Sequence, residues 1–286
     1  MFFLIGNMNV FATRIILISS EKNKTYESIM DNCFTHLKEK IPSAEIKRCE
    51  MNDYQSIHSL RKEILDFYPN VNFAIGKPAA ELCSSLTLFP FVYTMVLNPR
   101  AAGLVDMNGK NKINATGINI IPSPLSQFEE LKKYFPKTKM IGTLYSNNSL
   151  QIFSKGKEAC ETLHLGLESM MVNNSDEVTK QFRNLTRKPI DVFWLIFDMN
   201  LVNKFNLEYL IQGCQIRQIN LLTFNPNHIK MGATIAVYLD YEGLGKQASE
   251  IMIRILNGDS ASSIPTSESK YTRTSCNENM FHAAKK

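Results

Sequence analysis

Apolar runs of about five to seven residues alternate with amphipathic stretches of about ten to sixteen residues along most of the chain. Such runs are typical of strands buried in a parallel sheet, and the stretches between them are long enough for crossover helices. The alternation therefore predicts βαβ units and an α/β fold. The predicted strands are 14–19, 44–49, 71–75, 90–96, 139–145, 167–172, 190–197, 218–224 and 234–239. The predicted helices are 25–40, 53–67, 78–86, 125–134, 149–163, 176–186, 200–214 and 241–257.

The two halves of the chain also resemble each other at an offset of about 122 to 125 residues. The strand that begins at Arg14 and its following helix correspond to the strand that begins at Lys139 and its helix. Gly76, which follows one predicted strand, corresponds to Asp198, which follows another. Several matches at nearly constant offset indicate a duplicated α/β unit.

The duplication predicts two Rossmann-like lobes with parallel sheets, joined by a hinge of several chain crossings. The first lobe is expected to contain 13–116 plus about 236–261, and the second 117–235 plus about 262–286. Loops that follow parallel strands gather at one edge of a sheet, where helix N-termini present backbone N–H groups. Two such edges facing each other would form a ligand cleft between the lobes.

Composition excludes several classes of protein. Of the 286 residues, 44% are hydrophobic and 21% are charged, which is typical of a globular protein. The formal net charge is +5 and the basic residues are spread along the chain, so no nucleic-acid partner is expected. No run approaches the roughly 18 to 20 apolar residues that a membrane-spanning helix needs, and we expect a soluble body.

The N-terminal segment 1–12 has two interpretations. It is apolar and ends in Val-Phe-Ala, which resembles a signal-peptidase site, although it lacks a basic first region. The alternative is an additional strand leading into Arg14. We favour a signal remnant, because a complete strand follows at once.

Catalytic and metal-binding patterns are missing from the sequence. It contains no G-x-S-x-G, H-E-x-x-H, phosphate-loop or G-x-G-x-x-G motif. The six cysteines are scattered without a C-x-x-C pair, and we interpret them as buried free thiols. The five histidines are assigned to surface or capping positions. We therefore expect no catalytic residues, no metal, no cofactor and no enzymatic activity.

The loops after the predicted strands carry hydroxyl, amide and carboxylate groups, which suit hydrogen bonding to a small polar or zwitterionic ligand. The candidate ligand-binding residues are Ser19, Ser20, Gly76, Lys77, Pro78, Ala79, Asn98, Tyr145, Ser146, Asn147, Asp198, Asn200, Asn225 and Asp240.

Six of these residues, in three loops, have alternative structural roles. Gly76 to Ala79 either present N–H groups to a ligand carboxylate or form an ordinary strand-to-helix turn. Ser146 either contacts a ligand or caps the next helix. Asp198 could bind a ligand ammonium group, cap the helix that begins near Asn200, or do both.

Several segments together resemble the ABC-transporter substrate-binding protein family, typified by tryptophan-binding lipoproteins. The resemblance covers about 14–277 and depends on the order of its motifs. The segments are Gly76-Lys-Pro-Ala-Ala80, Pro90-Phe-Val-Tyr93, Asn98-Pro-Arg-Ala-Ala-Gly-Leu-Val105, Asn114-Ala-Thr-Gly-Ile118, Tyr238-Leu-Asp-Tyr-Glu-Gly-Leu-Gly-Lys-Gln-Ala248 and Ile255-Leu-Asn-Gly258.

The resemblance implies a type I periplasmic-binding-protein fold whose two lobes close on a solute. It implies an extracytoplasmic or periplasmic importer component that delivers a small ligand, such as an aromatic or branched amino acid, to a membrane permease served by a separate ATPase. The membrane would be contacted only through the permease. The alternative is a sensing module of the same fold that reports to a signalling partner.

Overall fold

The computed structural model describes residues 12–106, 109–112, 114–277 and 279 of the 286-residue chain. These residues form two compact units. Unit 1 contains the described residues up to Ile120 together with Tyr241–Lys270, and unit 2 contains Ile121–Asp240 and the described residues from Tyr271 onward. The chain therefore passes from one unit to the other three times, after Ile120, Asp240 and Lys270. Of the segment interpreted as a signal remnant, 1–11 lie outside the described residues.

Unit 1 is built on a parallel sheet with the strand order β2-β1-β3-β4-β5. Its strands are β1 (Arg14–Ser19), β2 (Glu45–Glu50), β3 (Val71–Ile75), β4 (Phe91–Thr94) and β5 (Ala115–Gly117). Its helices are α1 (Lys24–Lys40), α2 (Ile57–Phe67), α3 (Lys77–Ser85) and, from the later part of the chain, α9 (Tyr241–Leu256).

Local sequence signals explain where these helices begin. The Asn23 side chain accepts a hydrogen bond from Tyr26 N and caps α1, and Ser56 forms a capping box with Ser59 at the start of α2. Helix α9 packs against α1 so closely that a Cβ atom at Gly245 would clash with backbone atoms of α1. Glycine at this position therefore allows the two helices to approach each other.

Unit 2 repeats the strand order of unit 1, since β7-β6-β8-β9-β10 corresponds to β2-β1-β3-β4-β5. A further strand, β11, pairs antiparallel with β10. The strands are β6 (Met140–Tyr145), β7 (Gly166–Met171), β8 (Val192–Trp194), β9 (Asn220–Thr223), β10 (Ile235–Leu239) and β11 (Thr272–Cys276). The helices are α4 (Pro124–Tyr134), α5 (Leu150–Thr162), α6 (Val178–Leu185), α7 (Lys204–Ile216) and α8 (Asn227–Lys230). The predicted fold class, two Rossmann-like units with parallel sheets, is confirmed.

The structure differs from the sequence prediction in a few elements. Strands β5 and β11 and helix α8 were not predicted, because the first is only three residues long, the second is mostly polar and the third is a single turn. Helix α7 begins at Lys204 with Asn203 as its N-cap, not at Asn200, because the intervening residues form a separate turn anchored by Asp198.

The cysteines are largely as predicted. Five of them are buried thiols, in core positions of both units, and Cys276 is half-buried. Burial raises the pKa of Cys160 to about 11 and that of Cys83 to about 12, so these thiols stay protonated and unreactive at neutral pH. None of the helices in the described part of the chain combines the length and apolar character needed to cross a membrane.

Candidate functional site

All fourteen candidate ligand-binding residues lie at or after the carboxyl ends of parallel strands. Seven of them follow β1, β3 or β4 in unit 1, and the other seven follow β6, β8, β9 or β10 in unit 2. Because these strands run in the same direction within each sheet, the candidate residues share one edge of their sheet. We call these the carboxyl edge of unit 1 and the carboxyl edge of unit 2.

Each sheet has a point where the strand order reverses. In unit 1 it lies between β1 and β3, and in unit 2 it lies between β6 and β8. Open α/β sheets bind ligands in the crevice outside the carboxyl ends of the strands at this switch point. Ser20 and Gly76 flank the switch point of unit 1, while Ser146 and Asp198 flank that of unit 2.

At the switch point of unit 1, the loop after β1 is hydrogen-bonded to the start of α3. The Ala79 N–H donates to Ser20 Oγ over 2.9 Å, so this N–H is already paired within the chain. Gly76 has a φ of 94°, and a Cβ atom there would lie 2.6 Å from Ser20 Oγ. Glycine is required both by this backbone conformation and by the close approach of the serine. Lys77 and Pro78 are exposed in the first turn of α3.

Tyr26 is a residue of this edge that the sequence analysis missed. Its ring lies beside Gly76, since Cε2 would be 3.0 Å from a Cβ at that position. The side chain is half-buried, and burial, together with the nearby negative charge of Glu21, raises the pKa of its phenol. The sequence contains one indication that Tyr26 lies at this edge: it falls in the first turn of α1, the helix after β1, three residues after the N-cap Asn23.

The two other candidates of unit 1 make local hydrogen bonds. Ser19 is buried, and its hydroxyl donates to the carbonyl of Glu21 over 2.5 Å. Asn98 is exposed and accepts a hydrogen bond from Ala101 N over 2.9 Å, which caps the turn after β4.

At the switch point of unit 2, Asp198 is the centre of a buried polar cluster. Its side chain is 2% exposed. Oδ2 accepts from Ser146 Oγ over 2.6 Å, from Ser149 Oγ over 2.6 Å and from Ser146 N over 3.2 Å. Oδ1 accepts from Asn200 N over 2.9 Å. The carboxylate thus joins the loop after β6 to the turn after β8, so the capping role proposed for Asp198 exists, although it caps this turn and not α7.

The neighbouring candidates after β6 divide into a capping residue, a stacked ring and an exposed amide. Ser146 caps the short turn before α5, accepting from Asn148 N over 3.1 Å. The Tyr145 ring is stacked on Phe153 with ring centroids 3.9 Å apart and planes within 3°. Asn147 is exposed.

The remaining candidates of unit 2 lie farther along the same edge. Asn200 is half-buried, and its carbonyl accepts from Asn206 Nδ2 over 2.7 Å. Asn225 accepts from Asn227 N over 3.0 Å. Asp240 is half-buried and forms an ion pair with Arg273 Nη2 at 3.0 Å.

Two aromatic side chains add an apolar surface to this polar edge. Phe197 and Phe224 are half-buried, and their rings meet edge to face with centroids 5.2 Å apart. Phe224 also contacts the ring of His228, which is 6% exposed and hydrogen-bonded to Thr223 Oγ1 over 2.7 Å. The assignment of every histidine to a surface or capping position was therefore wrong for His228. Burial lowers its pKa.

A cavity of about 420 Å³ lies at the opposite, amino edge of the unit 1 sheet. Its lining includes Asn70, Pro90 and Asn114, which precede β3, β4 and β5. It therefore lies at the end of the unit 1 sheet opposite to the switch point of that unit. Among the residues that the structure describes, no group of three or more His, Cys, Asp or Glu side chains is arranged to hold a metal ion.

A family model described as ABC transporter substrate binding protein matches residues 36–285. The chain belongs to this family. Its members are solute-binding proteins and not enzymes. This substrate-binding protein is 27% identical to the tyrosine-binding protein of Clostridioides difficile strain R20291, over 237 residues that make up 81% of this chain and 68% of the relative.

Solved structures share the fold of the substrate-binding protein. One is the ligand-free, open structure of a substrate binding protein with adhesive properties from Clostridium difficile, with a TM-score of 0.70 and 24% identity over 96% of this chain and 95% of the other. Another is an ABC domain in complex with L-Trp from Streptococcus pneumonia, with a TM-score of 0.55 and 20% identity over the same shares of the two chains. At these levels of sequence identity, the similarity shows a shared fold and nothing more specific.

Proposed function

We propose that this protein is the extracytoplasmic solute-binding component of an ABC importer and that its ligand is an aromatic amino acid. The observation that carries the proposal is the chemistry at the two switch points, where hydroxyl, amide and carboxylate groups lie beside half-buried aromatic rings. The family supports solute binding, and the names of two similar proteins refer to tyrosine and L-Trp.

The unit 1 edge would hold the ligand carboxylate. Ser20 Oγ accepts from Ala79 N, so the serine hydroxyl keeps its own proton for donation to a carboxylate oxygen. The exposed start of α3 adds the positive end of a helix dipole on the same side. Ser20 and the backbone of Lys77 are therefore the groups that we assign to the carboxylate.

The unit 2 edge would hold the ligand ammonium group and side chain. Asp198 Oδ2 is occupied by three donors, whereas Oδ1 accepts from Asn200 N and retains a second lone pair. We assign the ammonium group to Oδ1, through a charge-assisted hydrogen bond. Ser19, Gly76, Pro78, Ala79, Asn98, Tyr145, Ser146, Asn147, Asn200, Asn225 and Asp240 remain predicted contributors to the shape or polarity of the two edges.

A thermal-shift screen tests ligand binding. L-Tyrosine, L-tryptophan, L-phenylalanine, L-leucine and ribose would be added separately to the purified protein. A ligand at about 100 times its dissociation constant stabilises the folded state by roughly 2.7 kcal/mol, so an aromatic amino acid is expected to raise the melting temperature clearly. A shift with ribose alone, or with none of the five compounds, would contradict the proposed ligand.

The importer role needs its own test. On this proposal, the liganded protein should stimulate the ATPase activity of its cognate permease–ATPase complex when that complex is reconstituted in vesicles. Stimulation by the liganded form above that by the ligand-free form would support delivery to a permease. Absence of stimulation by a protein that does bind tyrosine would instead favour the sensing module.

A further inference from the structure

We propose that Phe197 and Phe224 form the surface that selects an aromatic side chain in the ligand. This inference rests on the proposed function and adds the residues that determine its specificity. The two residues come from neighbouring loops of the unit 2 edge, after β8 and β9. Both are half-buried, in contrast to the fully buried aromatic residues of the sheet.

The geometry of the pair suits recognition of a third ring. The rings are 5.2 Å apart with an interplanar angle of 82°, which is the edge-to-face arrangement that aromatic rings favour. Such a pair presents both a ring face and a ring edge, and either can contact an incoming aromatic group. An aliphatic side chain gains the apolar contact but not the ring–ring attraction.

The Phe224 ring packs against His228, a residue that is itself fixed by a buried hydrogen bond. Phe224 packs edge to face against His228 with centroids 5.6 Å apart. His228 is fixed by its hydrogen bond to Thr223 Oγ1, and Thr223 is the last residue of β9. The position of the Phe224 ring is therefore set by the sheet and not by the ligand, as a preorganised binding surface requires.

Other aromatic side chains near the switch point of unit 2 are buried or already pack against other groups of the chain. Trp194 is 1% exposed, and its Nε1 donates to Gln127 Oε1 over 3.0 Å. One face of the Tyr145 ring is covered by Phe153. Phe193 is buried in the core beneath the edge.

One residue of the pair is adjacent in the chain to the proposed ammonium site. Phe197 directly precedes Asp198, the residue that we assign to the ammonium group. The ammonium and the ring of an aromatic amino acid are likewise only a few bonds apart. One ligand of this class can therefore engage the acidic and aromatic groups of the same edge.

The experiment compares Phe224→Leu and Phe197→Leu with the unchanged protein by isothermal titration calorimetry against L-tyrosine and L-leucine. Ring–ring contacts are worth a factor of about two to ten in affinity beyond the area they bury. We expect each variant to lose about that factor for L-tyrosine, with a much smaller change for L-leucine. Where L-leucine binds too weakly to measure, L-tyrosine and L-3-cyclohexylalanine form the comparison.

Tyr68→Leu is the matched control. Tyr68 contacts Phe89 edge to face with the same centroid separation, 5.2 Å, but follows α2 at the amino edge of unit 1. Its removal should leave both affinities unchanged. Melting curves of the ligand-free variants verify folding, and two phenylalanine positions are used so that one unfolded variant does not decide the outcome.

The outcomes separate this inference from the proposed function. If the unchanged protein binds none of these amino acids, the proposed function fails. If it binds L-tyrosine and both phenylalanine variants keep its preference for L-tyrosine over the aliphatic ligand, the proposed function stands and this inference is wrong.

Discussion

Replacing Asp198 by asparagine tests the buried cluster at the unit 2 edge most sharply. The two carboxylate oxygens accept hydrogen bonds from two backbone N–H groups, Ser146 N and Asn200 N, one on each side. An asparagine amide has only one oxygen. Either orientation of Asp198→Asn therefore places an NH₂ group against a backbone N–H that has lost its acceptor.

The loss of stability follows from this conflict. A hydrogen bond to a charged group contributes about 1.5–3 kcal/mol, and a buried N–H group left without its acceptor adds the cost of removing that group from water. We expect Asp198→Asn to lower the free energy of unfolding of unit 2 by about 2–4 kcal/mol. At about 2–4 °C per kcal/mol for domains of 150–250 residues, the melting temperature should fall by roughly 4–16 °C.

Urea denaturation monitored by tryptophan fluorescence measures the stability of unit 2. The chain has one tryptophan, Trp194, and it is buried in unit 2. Asp191→Asn is the control in the same unit. Asp191 is exposed, and one of its oxygens accepts from both Lys139 N and Met140 N, so an asparagine can keep both bonds while its NH₂ group faces water. We expect a change below about 1 kcal/mol for the control. Equal stability losses in the two variants would refute the account of the cluster.

Two further predictions concern buried polar groups. Asn72 is fully buried in β3 beside Ile16 and Phe91, and neither polar atom of its side chain has a hydrogen-bond partner among the described residues. Asn72→Leu should therefore raise the free energy of unfolding, measured in urea, by about 1–3 kcal/mol. Unchanged or lower stability would contradict this prediction. His228 has a pKa lowered by burial, so the unfolded chain binds more protons than the folded one as pH falls through the ordinary histidine range near 6.5. Stability should decline from pH 7.5 to 5 more steeply than in His228→Gln, while the exposed His58→Gln should follow the unchanged protein; parallel curves for His228→Gln would show that this group does not contribute.

Much of the fold could be predicted from the sequence because most strands are continuous apolar runs. β1 and β3 begin and end at the predicted residues, and nearly all of their side chains are buried on both faces of the sheet. β5 and β11 could not be predicted in this way. Their strand conformation comes from pairing with β4 and β10, since their own residues are small or polar.

The candidate site was predictable in position but not in bonding. The internal repeat placed Asp198 at a strand end equivalent to Gly76, and both flank a switch point. The hydrogen bonds from Ser146 and Ser149 to Asp198 depend on β6 lying next to β8, although β7 comes between them in the chain. The contact between the rings of Phe197 and Phe224 likewise depends on the pairing of β8 with β9.

Hydrogen–deuterium exchange with and without saturating L-tyrosine tests the location of the ligand site most directly. We predict slower exchange in peptides covering the loops after β1 and β3 in unit 1 and after β6, β8 and β9 in unit 2. Peptides around Asn70, Pro90 and Asn114 at the amino edge should exchange at unchanged rates. Protection confined to that amino edge, or no protection despite calorimetric binding, would contradict a ligand site at the carboxyl edges.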